Sequence, residues 1–419
     1  MKYFLNNKMK LLKGTLLFLA LISFTATAHA QLYQPEAISQ EFKPAGIVLG
    51  DDINKENNLK LGPASIKAAL TIEEQFDSNI FLTAGDKISD YINIVRPKIF
   101  MDLPFGLDGR HSLQALYYAD LATFADHSNQ NFQNQYATEL LNFKLPFGYL
   151  AFRDYFAKTS DRAGTEFTNR IKRLDNQADA FFGVEFNKLA EELNYTNFLR
   201  TFNDDSYNNF DYYENIYTSS TYYQLFPKTK VLMEYNYGQI DYLKDSSRDG
   251  NYNQIRMGLK GDITGKIIGV AKVGYQTREY DAGGQKGFNH FVSEMGLISN
   301  FSERTKLKLT YIDTAIESVY ENNNYYNNQS FQLRLDQGIS DRFTLIGLLG
   351  VDRNLYPEES PTFFKKREDT ILTGGIGLEY QAKDWIKAGI RYQYAEDISN
   401  IDNQDYNDNL VAVNVTFMM

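Results

Sequence analysis

The chain has no cysteine in 419 residues. That excludes a disulfide framework, a thiolate metal site and a lipid-modified N-terminal cysteine. Histidine is scarce: His29, His111, His127 and His290 are the whole set. None stands with a Ser or Cys in an arrangement that would make a nucleophile and its base. His29 goes with the leader described below, and the other three read as loop or strand-end residues, so an enzyme is not expected. An excess of positive charge is missing too. The formal net charge is −10, which argues against nucleic-acid binding. After Phe24 no run of about 18 apolar residues occurs, so no membrane-spanning helix is expected.

Aromatic residues are abundant, with 30 Tyr and 30 Phe. The mean hydropathy is nevertheless polar, at −0.43. Alternation reconciles the two, because a strand with lipid on one side and water on the other averages to a polar composition. The segment Leu410 to Phe417 shows the pattern. Val411, Val413, Val415 and Phe417 fall on one side, and Ala412, Asn414 and Thr416 on the other. A soluble all-β protein is the competing account of such strands. The front of the chain weighs against it. Lys2, Lys8, Lys10 and Lys13 precede the apolar stretch Gly14 to Phe24, and Ala28-His29-Ala30 supplies the small residues that signal peptidase reads. The apolar stretch is too short for a permanent anchor. Residues 1–30 are therefore expected to be a signal peptide cleaved after Ala30. Loss of its four lysines takes the mature charge to −14.

Residues 31–64 hold Pro35, Pro44 and Pro63 and lack sustained alternation, so they are expected to be a periplasmic N-terminal segment. They are too few for the plug of an energised transporter. From 65 to 419, alternating segments follow one another: Gln177–Phe186, Val231–Gly238, Ile255–Lys260, Gly269–Gln276, Lys306–Ile312, Phe331–Asp336, Leu372–Tyr380 and Ile386–Tyr394. Tight connections such as Leu145-Pro-Phe-Gly148, Phe226-Pro-Lys-Thr229, Ile263-Thr-Gly-Lys266 and Gln381-Ala-Lys-Asp384 suit periplasmic turns. Longer Asn/Asp-rich ones suit outer loops, among them Ala125–Gln130, Ser160–Asn169, Asn203–Asn209, Glu321–Asn328, Leu355–Lys366 and Asp397–Asn409. The two kinds alternate along the chain. The fold class is all-β: one transmembrane antiparallel β-barrel of about 18 strands in the outer membrane of a Gram-negative cell.

A barrel of that size leaves an aqueous lumen unless loops fill it. Orienting each strand by its apolar side places a set of charged residues inward as pore-lining candidates. The basic ones are Arg256, Lys260, Lys272, Lys306, Lys308, Arg334, Lys387 and Arg391, and the acidic ones Glu234, Asp336 and Glu379. Such a wall would select anions. The competing account is cross-strand ion pairing that stiffens the wall. Asp397, Asp402, Asp405 and Asp408 crowd one loop, but match no calcium-loop spacing and read as a solvated acidic run. Lys365-Lys366-Arg367 could meet lipopolysaccharide phosphates, with a solubilising charge run as the plainer account. Neither a metal nor another cofactor is expected.

The first hairpin carries Glu73-Glu-Gln-Phe-Asp77-Ser-Asn79-Ile80-Phe81, then Ser89-Asp90 and a strand that contains Pro97. An aromatic strand end, Asp-x-Asn-Ile, a short loop, Ser-Asp and a Pro-containing strand resembles the start of the putative beta-barrel porin 2 family. The resemblance implies a barrel of about eighteen strands. It also implies a role in exopolysaccharide secretion beside a periplasmic export partner. Pro97 cannot donate to a ladder and is expected at a bulge or a strand start. The C-terminal strand resembles the signal read by the barrel-assembly machinery, although Met418 and Met419 follow its aromatic residue. The expected partners are therefore lipid, lipopolysaccharide, that machinery and the export protein. Two functions remain: a pore for an anionic exopolysaccharide, or a general diffusion porin for small solutes. Porins usually narrow the lumen with a long inward loop. No connection looks long enough for that, which favours the polymer pore. An outer-membrane enzyme or a filled structural barrel is a third, weaker reading.

Overall fold

A computed structural model describes residues 59–282 and 286–419. Both the signal-peptide expectation and most of the N-terminal segment fall outside these residues. Eighteen long strands form one closed antiparallel barrel. They are β2 (Ala64–Asp77), β3 (Asp90–Phe105), β4 (His111–Phe124), β5 (Phe132–Leu145), β6 (Gly148–Thr159), β7 (Arg173–Phe186), β8 (Leu189–Phe202), β9 (Tyr212–Phe226), β10 (Thr229–Tyr242), β11 (Gly250–Asp262), β12 (Ile267–Tyr280), β13 (Phe288–Ser302), β14 (Thr305–Glu317), β15 (Tyr325–Gly338), β16 (Phe343–Glu359), β17 (Lys366–Lys383), β18 (Ile386–Ser399) and β19 (Tyr406–Met418). Each pairs with its neighbours in sequence, and β19 closes on β2 from Leu410 opposite Asp77 to Met418 opposite Ala69. Closure leaves no long unpaired edge, which is what lipid demands.

A short strand, β1 (Leu59–Leu61), turns through Gly62-Pro63 and pairs with the first residues of β2, Leu59 lying opposite Ile66. It follows the line of β19 past Met419, whose N–H and C=O bond to Ala68. The chain's own N-terminal hairpin thus covers the stretch of β2 that the C-terminal strand is too short to reach.

The tight connections, Pro146-Phe147 and Pro227-Lys228 among them, gather at the end that also holds the start of β2 and the end of β19. The long connections gather at the other end. The polar segments expected as long loops are shorter than their composition suggests. β15 begins at Tyr325, β16 runs to Glu359 and β18 to Ser399. Above the membrane the outer face of a strand meets water and the inner face meets polar loops, so alternation disappears while the ladder continues; Asn328 is still paired opposite Asn354.

Alternation along β19 is as expected. Leu410 and Ala412 are buried in the interior, whereas Val411, Val413 and Phe417 are exposed on the outside, where lipid lies. Pro97 departs from expectation. It sits mid-way along β3, opposite Leu70 of β2. The ladder to β4 pairs Val95 with Leu121 and Lys98 with Tyr118, and skips the two residues between. The register is unchanged across the gap, so the missing donor costs ladder bonds without a bulge.

Candidate functional site

The strand registers put every one of the eleven charged pore-lining candidates on the inward side. They do not stand as bare charges. Glu234 accepts from Arg256 Nε at 2.8 Å and from Lys272 Nζ at 3.1 Å. Arg256 also reaches Glu294 at 2.9 Å, and Lys272 reaches it at 3.6 Å. Room for this comes from Gly274, directly opposite Arg256. A Cβ there would lie 1.9 Å from the Ile255 carbonyl and 2.8 Å from Arg256 Cγ. Arg334 pairs with Asp336 at 2.7 Å and Lys387 with Glu379 at 3.0 Å. Arg391 is held bidentate by Glu73 at 2.7 and 2.8 Å. Lys306 lies opposite Asp336, and Lys308 opposite Arg334. The Lys260 ammonium sits 5.3 Å from the centre of the Tyr222 ring.

The wall is therefore more balanced than the candidate set implied. Glu73 and Glu294 were missed, although outward Leu70 and Ile72 in β2, and outward Met295 and Leu297 in β13, would have marked them. Further inward pairs were missed nearer the outer end: Arg96 with Asp120, Arg153 with Asp179 at 2.7 Å, Arg173 and Arg200 with Asp175 at 2.8 Å each, and Arg278 with Glu317. Arg367 pairs with Asp369 at 2.7 Å and its guanidinium lies over the Tyr320 and Tyr356 rings. It belongs to the inner wall, so it is not part of a surface basic run with Lys365 and Lys366.

The larger correction concerns the loops. The residues 160–172, joining β6 to β7, fold across the lumen. Thirteen residues look short for this, but a fully extended chain reaches about 3.3–3.6 Å per residue, enough to go out about 20 Å and return. At its own wall the loop is fixed by Ser160 N–H donating to Asn134 Oδ1 at 2.8 Å and by Tyr136 Oη donating to Asp161 at 2.6 Å. Phe167 packs with Phe202 and Tyr207. Arg162 donates to the Ile80 carbonyl at 2.9 Å and to the Thr168 carbonyl at 2.7 Å. Burial and nearby Arg170 push its guanidinium down to about 10. On the far side Asn354 of β16 donates to Thr165 Oγ1 at 2.6 Å. Glu166 accepts from Ser318 Oγ at 2.6 Å and Val319 N–H at 2.9 Å, in the connection between β14 and β15. β6 and β15 stand half the ring apart, so the loop spans the lumen.

The residues of the first-hairpin motif have structural tasks. Asp77 Oδ1 accepts from Asn79 N–H at 2.9 Å, and fully buried Asn79 ties Thr83 and Asn407. Asp90 collects the N–H groups of Ala125, Asp126 and His127 and the His127 ring, which fastens the next outer loop. His111 packs against Phe105 and Phe143, and His290 against Phe288. Of the acidic run, Asp405 caps Ser399 N–H at 2.7 Å and Asp408 accepts from Ser78 at 2.8 Å. No metal-holding group of His, Cys, Asp or Glu occurs among the described residues.

A closed antiparallel barrel of eighteen strands with a lined lumen defines an outer-membrane β-barrel of the porin class. The sequence model of the putative beta-barrel porin 2 family matches residues 160–419, and the chain belongs to that family. The match lies beyond the hairpin motif at residues 73–97 that carried the resemblance. Among solved structures, OccK1 (OpdK) from Pseudomonas aeruginosa is similar with a TM-score of 0.51 and 11% identity, over 84% of this chain and 99% of that one. OccK2 (OpdF) from Pseudomonas aeruginosa has a TM-score of 0.50 and 12% identity, over 84% of this chain and 98% of that one. At such identities the likeness is one of fold. No curated protein matches the chain.

Proposed function

We propose that the protein is a constricted diffusion channel through which small, preferentially anionic solutes cross the outer membrane. The observation that carries this reading is the loop 160–172, laid across the lumen and fastened on both sides. A strap at that place limits the size of what passes, as a small-solute channel requires. Support for anions comes from the half of the wall nearer the tight turns, where Lys260, Lys306, Lys308 and Lys387 point inward. In an aqueous lumen their side chains raise the local concentration of a negative solute while each contact stays weak enough to release it.

The second reading is export of an anionic exopolysaccharide with a periplasmic partner. Family membership and the lysines favour it; the strap weighs against it, because a polymer would need it displaced throughout transport. Planar-bilayer recordings on the purified full chain test the first reading. Discrete ion-conducting steps with a reversal potential displaced toward the chloride equilibrium value are expected. Cation selectivity would refute the anion preference. Flux of an acidic polysaccharide with no passage of small solutes would favour export.

A further inference from the structure

Glu166 sits in an unusual place for a loop carboxylate. Its two oxygens take a hydroxyl from Ser318 at 2.6 Å and the successive N–H groups of Val319 and Tyr320 at 2.9 and 3.2 Å. Successive backbone N–H groups in a turn form a concave anion-binding nest. Here a hydroxyl completes it. The turn is held from behind, since Arg248 reaches the Asn324 carbonyl at 3.3 Å and also the Ser318 carbonyl. Arg367, stacked at 4.7 Å over the ring of Tyr320, adds positive charge nearby. Such a nest recognises a carboxylate as a chemical group; nothing in its geometry requires that the group be attached to the same chain.

We propose that Ser318 Oγ with the N–H groups of Val319 and Tyr320 is a carboxylate-recognition site occupied by the chain's own Glu166, and that the carboxylate of a passing solute competes for it and frees the strap. This rests on the channel reading above. The competition is intramolecular against free ligand. A group on a short loop has an effective concentration of the order of mM, so a free carboxylate competes at millimolar levels. The strap also keeps a second fastening, Asn354 on Thr165 at 2.6 Å. Release at Glu166 therefore loosens the strap without unfolding it.

The test uses the purified full chain, with acetate as the probe because it reproduces the glutamate carboxyl, and acetamide as the neutral control. In planar bilayers at constant chloride, acetate at tens of millimolar is expected to raise the wild-type conductance about twofold, with no response to acetamide. The E166Q variant should conduct at the higher level without acetate and respond to nothing. By calorimetry in detergent, E166A should bind acetate about tenfold more tightly than the wild type, because the competing occupant is gone. E166A combined with S318A should lose that gain, and gel mobility with and without heating confirms that the variants remain folded barrels. Equal responses to acetate and acetamide, or equal acetate affinity in wild type and E166A, would overturn the proposal while leaving the channel reading intact. A folded protein that conducts no ions in any of these forms would instead remove the channel reading itself.

Discussion

The two halves of the lumen wall use the same charged residues in different ways. Toward the outer end the pairs are sealed. The side chains of Arg367 and Asp369 are 4% and 1% exposed, and those of Arg173 and Asp175 are 3% and 8% exposed. Toward the periplasmic end two pairs are wetter, although the pair of Lys272 with Glu234 higher on that wall stays sealed at 3% and 5%. Lys387 and Glu379 are 30% and 31% exposed, and Arg334 and Asp336 are 22% and 25%. Loops explain the difference. The outer end is covered by the strap and by the turn at Ser318–Asn324, which exclude water and force each charge to find a partner. Among the described residues the periplasmic end has only short turns, with no loop laid over the wall. A sealed pair is committed to structure, whereas a hydrated lysine remains available to a solute. Selectivity should therefore be set below the strap and size restriction at it.

Removing one partner of a sealed pair should do the most damage. R367M leaves Asp369 buried without its guanidinium and should cost about 3–5 kcal/mol. Thermal or denaturant unfolding of the refolded barrel measures it, and a loss below about 1 kcal/mol would mean that the outer pairs are as wet as the inner ones.

Next in size is a test of the frame that both halves share. An arginine at Val413, on the lipid side of β19, should impair assembly by about 2–4 kcal/mol, whereas an arginine at inward Asn414 should be far milder. Folding yield into vesicles measures both. Equal damage would mean that the faces are reversed.

A smaller effect separates the strap from the wall. Deleting residues 163–168 should raise single-channel conductance about twofold or more while leaving ion selectivity nearly unchanged. A large change of selectivity would place charge discrimination at the strap. The converse variant, K306Q with K308Q and K387Q, should move the reversal potential toward cation preference with little change in conductance. Arg391 is left alone because its loss would strand buried Glu73.

The smallest expected effect is on stability. K387Q should cost at most about 1 kcal/mol, as exposed pairs do. A cost approaching that of R367M would erase the distinction between the halves.

Much of the frame was legible from period-two alternation. The inward face of β14 follows from Leu307, Leu309 and Tyr311, and that of β18 from Ile386, Ala388 and Ile390. In a barrel each strand's orientation is set by its own residues facing lipid, a local signal. Glu294 and Glu73 were equally legible in principle, yet their pairing with Arg256 and Arg391 was not. Which charges meet depends on the register between strands, and for Glu73 on a closure that joins positions 318 residues apart.

From the residues alone came the class of protein, a count of about eighteen strands, the lipid-facing side of the clearly alternating ones and eleven of the charged residues that face the lumen. Lipid imposes these one strand at a time, because an outward charge or an unpaired ladder has no solvent to relieve it. The tertiary structure alone decided that Ser160–Lys172 crosses the lumen. The residues that receive it, Ser318, Val319 and Asn354, lie more than 150 positions later in the chain. They come within reach only when the ring closes and sets two distant connections face to face across it. A loop's composition states that it is polar; where its polar groups find partners is settled by the geometry of the closed barrel around it.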